Sequence, residues 1–409
     1  MTETATDWRW PIRQPHRTVG EAGPLVFVGG AGDFDGKGRI AHPGDLGAQI
    51  EGSIRNLQAA LALRSCGLAD VLRLKVFYRS DGTGDEWELL AKLSGKFEDE
   101  PAPAITLHPV PLQPFAGQEI QVQAIANKGW RNRPNIQTVL RKPPERVAPL
   151  FERPAITRGL RAGEFIVVPA QTAIDDQGVV LAPESGIEQT RIVMTRIEDI
   201  LKELGAGLQD AVKKEGYYFG TRPEDWAGMA EVRATYFRDP GPVATVVPCH
   251  ALYPKGTLTK VEVFAMRTEK NKYIPREDRW PERVWDWPIP VPYRQGIALR
   301  DMIWVGGQVP FEAGGSSWRP VHVGDLLAQT RFTMAYVSDI VTAFGRSSAD
   351  YRLLVCYFTS GGTPEETEAF IDAIAGCVEG DLPPMTVVPQ PHMHSPEMGV
   401  EIWAVASLS

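Results

Sequence analysis

The feature that most constrains the fold of this chain is an internal repeat. Gln49, Gln189 and Gln329 lie 140 residues apart, and the same offset relates many other positions. These positions include residues that favour helix N-caps, acidic residues and aromatic residues: Asp45, Ser185 and Asp325, then Asp70, Asp210 and Asp350, then Phe77, Tyr217 and Tyr357. Because a missed repeat changes the whole fold assignment, three copies of one unit are the first conclusion from the 409 residues.

Each copy predicts the same order of elements. Apolar residues three and four positions apart, such as Ile54, Leu57 and Leu61, predict an amphipathic helix of about 20 residues. A short apolar run precedes this helix and a strand follows it. A second helix then begins with acidic residues, which suits the helix dipole, and two strands close the unit. The order β–α–β–α–β–β predicts the α+β class.

The repeat predicts three domains, residues 1–127, 151–267 and 291–409, joined by linkers at 128–150 and 268–290. Both linkers are long and rich in Pro, Arg and Trp. We expect them to cross the surface of a neighbouring unit, with Trp280, Trp285 and Trp287 packing as anchors. An extra hairpin with core aromatic residues is an equally good interpretation.

Composition limits the class of protein. With 43% hydrophobic and 23% charged residues, the chain is too apolar to be disordered. Its four Cys have no C-x-x-C spacing, which argues against a zinc knuckle or a disulfide framework. A net charge of −8 without a block of like charge argues against a nucleic-acid or anionic-membrane partner. Without a signal peptide or a long apolar run, a cytoplasmic protein is expected.

The third unit resembles the YjgF/RidA (Rid, UK114) family. Its segments VPYRQG, VGGQVP, GDLLAQT, PPMTVVP and VEIWAVA carry the resemblance, which extends over nearly the whole chain, once per unit. The resemblance implies chorismate-mutase-like α+β domains that assemble as trimers, with an inner β-barrel, outer helices and ligand clefts between subunits. Three tandem units would form an intramolecular pseudo-trimer, as a monomer or a higher assembly of it.

One departure from the family concerns its substrate-binding arginine. The family hydrolyses reactive enamines and imines and uses an arginine after a Pro-Ala pair to hold the substrate carboxylate. In this chain the matching positions are Ile105, Ala244 and Met385. This departure argues against the standard 2-aminoacrylate deamination, and Met385 remains only as a candidate substrate contact.

Other family positions are retained. Tyr293 matches the family tyrosine, and Glu262 and Glu401 match the last-strand glutamate that orients a water in the family. Gln171 and Gln308 match the turn glutamine and are the candidate substrate-positioning residues. Since burial in an apolar cleft raises a carboxyl pKa, we expect Glu262, Glu401 and Tyr293 to be the catalytic residues.

Histidines form a further group of candidates. His108, His250 and His392 each follow a Pro-x-x-Thr segment, which predicts one imidazole per cleft as a proton shuttle or substrate contact; exposed loop histidines are the alternative. His392 and His394 could share a strand face, but without companion ligands no metal site is predicted. Cys249, beside His250, is predicted to be a buried, inert thiol. The Gly-rich segments lack a P-loop pattern, and no cofactor is predicted.

The resulting hypothesis is a Rid-like enzyme acting on a small organic molecule in an inter-domain cleft. The expected reaction is hydrolysis or deamination of an imine, enamine or amide-like C–N bond, or a related tautomerisation or dehydration. One alternative is a chorismatase-like pseudo-trimer acting on a different small metabolite. The other is a non-catalytic ligand-binding or scaffold protein.

Overall fold

The computed structural model describes residues 8–83, 86–287, 289–313 and 319–409. It contains three mixed sheets in tandem, each with two helices, as the repeat predicts. Gly84 and Asp85, part of the predicted acidic opening of a helix, lie outside the described residues. In the described part of the chain, no helix is both long and apolar enough to cross a membrane.

The first unit has five strands in the order β1-β2-β5-β3-β4. Only β3 and β4 are parallel in this sheet. Its elements are β1 (Val19–Ala22), β2 (Leu25–Ala31), α1 (Leu46–Ala62), β3 (Val71–Arg79), α2 (Glu86–Ser94), β4 (Ala104–Val110) and β5 (Ile120–Asn127).

The second unit has the same core with one additional strand, in the order β10-β9-β11-β8-β7-β6. Its elements are β6 (Ile136–Arg141), β7 (Ile156–Ala162), β8 (Phe165–Gln171), α3 (Gly186–Glu203), β9 (Ala211–Phe219), α4 (Pro223–Ala234), β10 (Val243–Cys249) and β11 (Thr259–Met266). The strand β6 comes from the segment predicted to be a linker and pairs antiparallel with β7.

The third unit is built in the same way, in the order β12-β13-β14-β17-β15-β16. Its elements are β12 (Glu277–Arg279), β13 (Gly296–Leu299), β14 (Met302–Gln308), α5 (Leu326–Thr342), β15 (Tyr351–Thr359), α6 (Pro364–Ala375), β16 (Met385–Gln390) and β17 (Val400–Ser407). Here too the preceding segment adds a strand, since β12 pairs with β13.

The glutamines recur at the 140-residue offset because each has the same structural role. Gln49 lies in α1, and its side chain donates to a carbonyl of the loop before β5 at 2.7 Å and accepts from a backbone N–H at 2.6 Å. Gln189 and Gln329 make the same pair of bonds before β11 and β17, at 2.7 to 2.8 Å. Each glutamine thus fixes the long helix to the last strand, where buried backbone groups need partners.

The three units form a ring in chain order. The edge strand β4 lies against β7 and β8, β10 lies against β14, and β16 lies against β2. A hydrogen bond from the start of each unit crosses to the preceding unit in the ring: Thr157 to Ala102, Arg294 to Pro242, and Arg17 to Leu382. The chain is therefore an intramolecular pseudo-trimer with three clefts: A between units one and two, B between two and three, and C between three and one.

Charged side chains meet where the sheets face each other. Arg73 and Lys75 of β3 lie 2.7 to 2.9 Å from the carboxylates of Glu215 and Glu262, in β9 and β11. All four side chains are buried. Two cations and two anions balance, which keeps this interior cluster ionised despite its burial.

Candidate functional site

The three clefts differ in the space they enclose. Cleft A contains a cavity of about 130 Å³ between β4 and β8, whereas the cavity in cleft B measures about 20 Å³. In cleft C, the backbone of Met385 lies so close to Gly29 that a Cβ there would be 2.5 Å from it. A larger surface groove of about 490 Å³ beside α1 and α2 contains none of the predicted site residues. Cleft A is thus the candidate site.

A repeated tryptophan motif fills the other two clefts. WRWPI at 8–12 precedes β1 of the first unit, and WDWPI at 285–289 precedes β13 of the third. In cleft C, Trp10 is buried over Gly30 and donates its indole N–H to the Gly30 carbonyl at 3.1 Å. In cleft B, Trp285 is buried and donates to Gln308 at 3.1 Å.

The second unit lacks this motif. Counted back from Ile156, which occupies the family-tyrosine position held by Tyr293 in the third unit, the two tryptophan positions hold Ala148 and Leu150. Leu150 is 48% exposed instead of inserted between units. Ala148 is small and Leu150 faces outward. Cleft A therefore stays open, whereas tryptophans fill clefts B and C.

Three arginines line cleft A on its second-unit side. Arg141 comes from β6, Arg158 from β7 and Arg196 from α3, and all three are partly buried. The opposite wall is apolar and includes Ile105 and Leu107 of β4. The cleft therefore presents a cationic wall and an apolar wall to one cavity.

These arginines are poorly neutralised. Arg158 and Arg196 have no carboxylate within 4.0 Å among the described residues, and Arg141 has only the exposed Asp176, at 3.9 Å. Burial lowers the pKa of all three, and the charge of Arg141 lowers the pKa of Arg158 and Arg196 further. A partly buried set of like charges of this kind attracts an anion into the cleft.

Gln171 is the predicted site residue that lines this cavity. Its side-chain oxygen accepts from Arg158 at 3.3 Å, and its amide donates to the Pro169 carbonyl at 2.7 Å. The glutamine thus orients Arg158. Ile105 also lies in the lining, so the family's arginine position faces this cavity without supplying a charge.

A partly buried acid–base pair completes the lining. Lys260 donates to Glu86 at 2.6 Å, and the Tyr78 hydroxyl donates to the same carboxylate at 3.1 Å. Tyr253 lies beside them and donates to the Thr83 carbonyl at 2.6 Å. Within the described lining, Glu86 is the only carboxylate, so it is the group placed to accept a proton in cleft A.

Glu262 lies behind this cavity, not in its lining. Besides its ion pairs it accepts hydrogen bonds from Tyr217 at 2.6 Å and from Thr106 at 3.0 Å. Arg73 and Lys75 overcome the opposing effect of burial and lower the pKa of Glu262 to about 2. The expectation of a raised pKa is therefore wrong for Glu262, because the sequence did not reveal its two cationic neighbours.

Cleft B contains three of the other predicted residues, Glu401, Gln308 and Tyr293, in a closed site. The Glu401 carboxylate lies 3.2 Å from His394, and a Cβ on Gly307 would meet it at 2.1 Å. Gln308 accepts from Trp285 and donates to Gln295 at 2.7 Å, which leaves its amide occupied. Tyr293 is 2% exposed beneath Trp287, with ring centroids 5.9 Å apart.

The histidines do not lie one per cleft. His108 is buried against Tyr217, with ring centroids 4.5 Å apart. His250 bonds to the Ser80 carbonyl at 2.8 Å, and burial, with a smaller contribution from nearby His392, lowers the pKa of its imidazole. None of the three lines the cavity of cleft A or B. In their place, His394 contacts a cleft carboxylate.

Cys249 is buried, and burial raises the pKa of its thiol. Its sulfur lies 3.9 Å from His108 and makes no recorded contact with the adjacent His250. Among the described residues, no group of three His, Cys, Asp or Glu side chains is placed to hold a metal ion.

Comparison with known proteins places the chain in a family. The family model described as Endoribonuclease L-PSP matches residues 153–267, in the second unit. A RutC family protein of Pyrococcus abyssi is 33% identical over 111 residues, which cover 27% of this chain and 85% of that protein. The chain belongs to the YjgF/RidA family. A second RutC family protein, from Pyrococcus horikoshii, is 31% identical over 111 residues, covering 27% of this chain and 86% of the relative.

The tandem arrangement of this YjgF/RidA-family protein also has a structural counterpart. A crystal structure of a chorismatase matches with a TM-score of 0.55 and 15% identity. The match covers 83% of this chain and 93% of the chorismatase chain. A likeness at this identity establishes a shared fold that extends over the three sheets.

The residues that sequence reasoning missed are the charged ones of cleft A. Arg141 lies in a predicted linker, and Arg158 and Arg196 have no counterpart in the family motifs quoted above. A usable signal was present nonetheless. The tryptophan motif occurs before β1 and before β13 but not before β7, which points to the cleft at the start of the second unit.

Proposed function

We propose that this YjgF/RidA-family protein is an enzyme with one working cleft, cleft A, for a small organic carboxylate. The observation that carries the proposal is the set of Arg141, Arg158 and Arg196 around the open cavity. The proposed reaction is hydrolysis of an imine or enamine C–N bond, which releases ammonia and a carbonyl compound.

In this proposal the arginines replace the family's single arginine from the opposite wall. A guanidinium binds a carboxylate through two parallel N–H bonds, and a second guanidinium can share its charge. The apolar wall at Ile105 and Leu107 then accepts the organic part of the substrate. Binding is therefore selective for a molecule with an anionic and an apolar end.

Glu86 is the proposed proton acceptor. As a water oxygen bonds to the carbon of the protonated imine, the C=N π electrons move to nitrogen and Glu86 takes a proton from that water. Glu86 then returns this proton to the amine of the carbinolamine, ammonia leaves, and the hydroxyl releases its proton to solvent as the C=O bond forms. Lys260, 2.6 Å from Glu86, places a positive charge beside the carboxylate in this step.

A second candidate is ligand binding without turnover. The ion-paired state of Glu262 favours it, because this last-strand glutamate is engaged by Arg73 and Lys75 instead of by a water in the cleft. A chorismatase-like reaction on a different metabolite is supported by the shared fold alone.

The test uses imino acids formed in solution by oxidation of neutral L-amino acids, with release of the 2-oxo acid as readout. Arg158→Gln and Arg196→Gln should each lower kcat/KM roughly tenfold to a hundredfold, since a charged hydrogen bond contributes about 1.5–3 kcal/mol. Arg191→Gln is the matched control, because Arg191 lies on the same helix as Arg196 but is 50% exposed and pairs with Glu188.

Binding and turnover are measured separately in the same variants. Glu86→Gln should retain binding of 2-oxobutyrate while turnover falls at least tenfold. Wild-type binding without any turnover would favour the ligand-binding candidate. Equal 2-oxobutyrate affinity in Arg158→Gln, Arg196→Gln and Arg191→Gln would reject cleft A as the site.

A further inference from the structure

A second cluster of cations lies at cleft B, in the layer between β9 and α4. Lys214 and Arg233 are both 0% exposed, and Tyr293, which reaches this layer from the third unit, is 2% exposed. We propose that Lys214, Arg233 and Tyr293 form a buried binding site for one small anion. This site is separate from the arginines of cleft A and does not depend on the function proposed for them.

The first support is the hydrogen bonding of these groups. The Lys214 amine, all three Arg233 side-chain nitrogens and the Tyr293 hydroxyl have no partner with regular hydrogen-bond geometry among the described residues. Neither cation has a carboxylate within 4.0 Å in the described part of the chain. Buried polar groups are nearly always hydrogen-bonded, and buried charges are nearly always paired. The Lys214 and Arg233 nitrogens act as donors and the Tyr293 hydroxyl is the one group of the three that can readily accept, so the cluster has more donors than acceptors.

The second support is that the donors converge. The Lys214 amine lies 4.7 Å from the centre of the Tyr293 ring. Burial lowers the pKa of the Arg233 guanidinium, and the nearby Tyr293 hydroxyl opposes only part of this effect. Burial and the charge of Arg233 lower the pKa of Lys214 well below its usual value, as expected for two cations without a counter-ion.

The third support is that only one unit has this pair. The repeat places Leu74 and Leu93 at the matching positions of the first unit and Leu354 and Ala373 at those of the third, all of them buried. Apolar residues can therefore fill this layer of the fold, and Lys214 and Arg233 are not needed to form it. Lys214 also pairs in register with Ala244, so the charge lies on the strand next to the one that faces cleft B.

The size of the site selects the ligand class. Because Lys214 and Arg233 are 0% exposed and Tyr293 is 2% exposed, the space between them admits an ion but not a substrate-sized molecule. The ligand is therefore a small monovalent anion, either a halide or a short carboxylate such as acetate. Lys, Arg and Tyr supply N–H and O–H donors that suit both.

The test compares thermal unfolding of the full chain in potassium chloride, acetate and gluconate at constant ionic strength and pH. A ligand that binds only the folded state raises Tm with the logarithm of its concentration. Chloride should raise Tm relative to the bulky gluconate, in the wild type and in Arg158→Gln alike. An equal effect of acetate would identify a short carboxylate as ligand, and an effect of chloride alone would identify a halide.

The matched variant is Lys214→Leu/Arg233→Leu, which installs the residue pair of the first unit. It should fold and lose the chloride effect on Tm. Crystals of the wild type grown in bromide should show an anomalous peak beside the Lys214 amine and the Arg233 guanidinium, a result that does not depend on the variant folding. Equal chloride and gluconate curves in the wild type, or no bromide peak at this position, would overturn the proposal.

Discussion

The most informative single substitution is Glu262→Gln, because the two accounts of this carboxylate predict effects of opposite sign. Glutamine keeps the shape of the side chain and removes its charge. In an apolar cleft with a raised pKa, the charged form would be unfavourable, and its removal would leave stability unchanged or increase it. In the structure, Glu262 is ion-paired with Arg73 and Lys75. Its removal then leaves the two buried cations opposed by Glu215 alone.

The expected cost is about 3–5 kcal/mol in the free energy of unfolding, as for loss of one member of a buried ion cluster. The lowered pKa of Glu262 corresponds to a similar free-energy cost. Lowering it from 4.5 to about 2 corresponds to about 3 kcal/mol, at about 1.4 kcal/mol for each tenfold change in proton affinity. Because the folded-state pKa lies below the unfolded value, this stabilisation is complete above about pH 5 and declines as the pH falls towards 2.

The assay is urea unfolding at pH 7 and pH 4, followed by tryptophan fluorescence. The gap between wild type and Glu262→Gln should be smaller at pH 4 than at pH 7. Glu188→Gln is the control, since this carboxylate is 57% exposed and its pair with Arg191 contributes about 1 kcal/mol or less. A Glu262→Gln protein as stable at pH 7 as Glu188→Gln would refute the ion-cluster account.

Three further predictions follow from burial and capping. Trp10→Ala should cost about 3–5 kcal/mol and open cleft C to an apolar dye measured by fluorescence, because Trp10 is 5% exposed over Gly30. Native Cys249 and Cys356 should react with a thiol reagent at pH 8 far more slowly than in urea, because burial raises the pKa of both thiols. Ser185→Ala should cost about 1 kcal/mol in urea unfolding, since Ser185 accepts the Glu188 N–H at the start of α3.

The fold could be predicted from the sequence because the repeated residues make the main contacts within each unit. Residues at a 140-residue offset, such as Gln49 and Gln189, make the same bonds in each unit, so the period reports a real structural equivalence. The strands β6 and β12 were harder to predict. Each is short and mostly exposed or only partly buried, and is stabilised by pairing with the next strand instead of by an apolar pattern of its own.

The candidate site was predicted less well, because its charges belong to different units. The ion-pair partners of Glu262 come from the first unit, 187 and 189 residues away in the sequence. No local sequence pattern indicates these pairs. The arginines of cleft A likewise come from a linker strand, a second strand and a helix. Motif spacing reports neighbours within one unit, whereas the chemistry of this fold lies between units.

Fusion into one chain explains why the family residues and the open space are found in different clefts. In a homotrimer a substitution changes all three clefts at once, but here each cleft changes alone. Cleft B keeps Gln308 and Glu401, yet Gln308 now binds the Trp285 that fills the cleft, and Glu401 contacts His394. Cleft A stays open and carries Ile105 and Ile156 where the family has its arginine and tyrosine. Family residues have therefore been retained where they support the closing tryptophan, and a different set of charges lines the cleft that remains accessible.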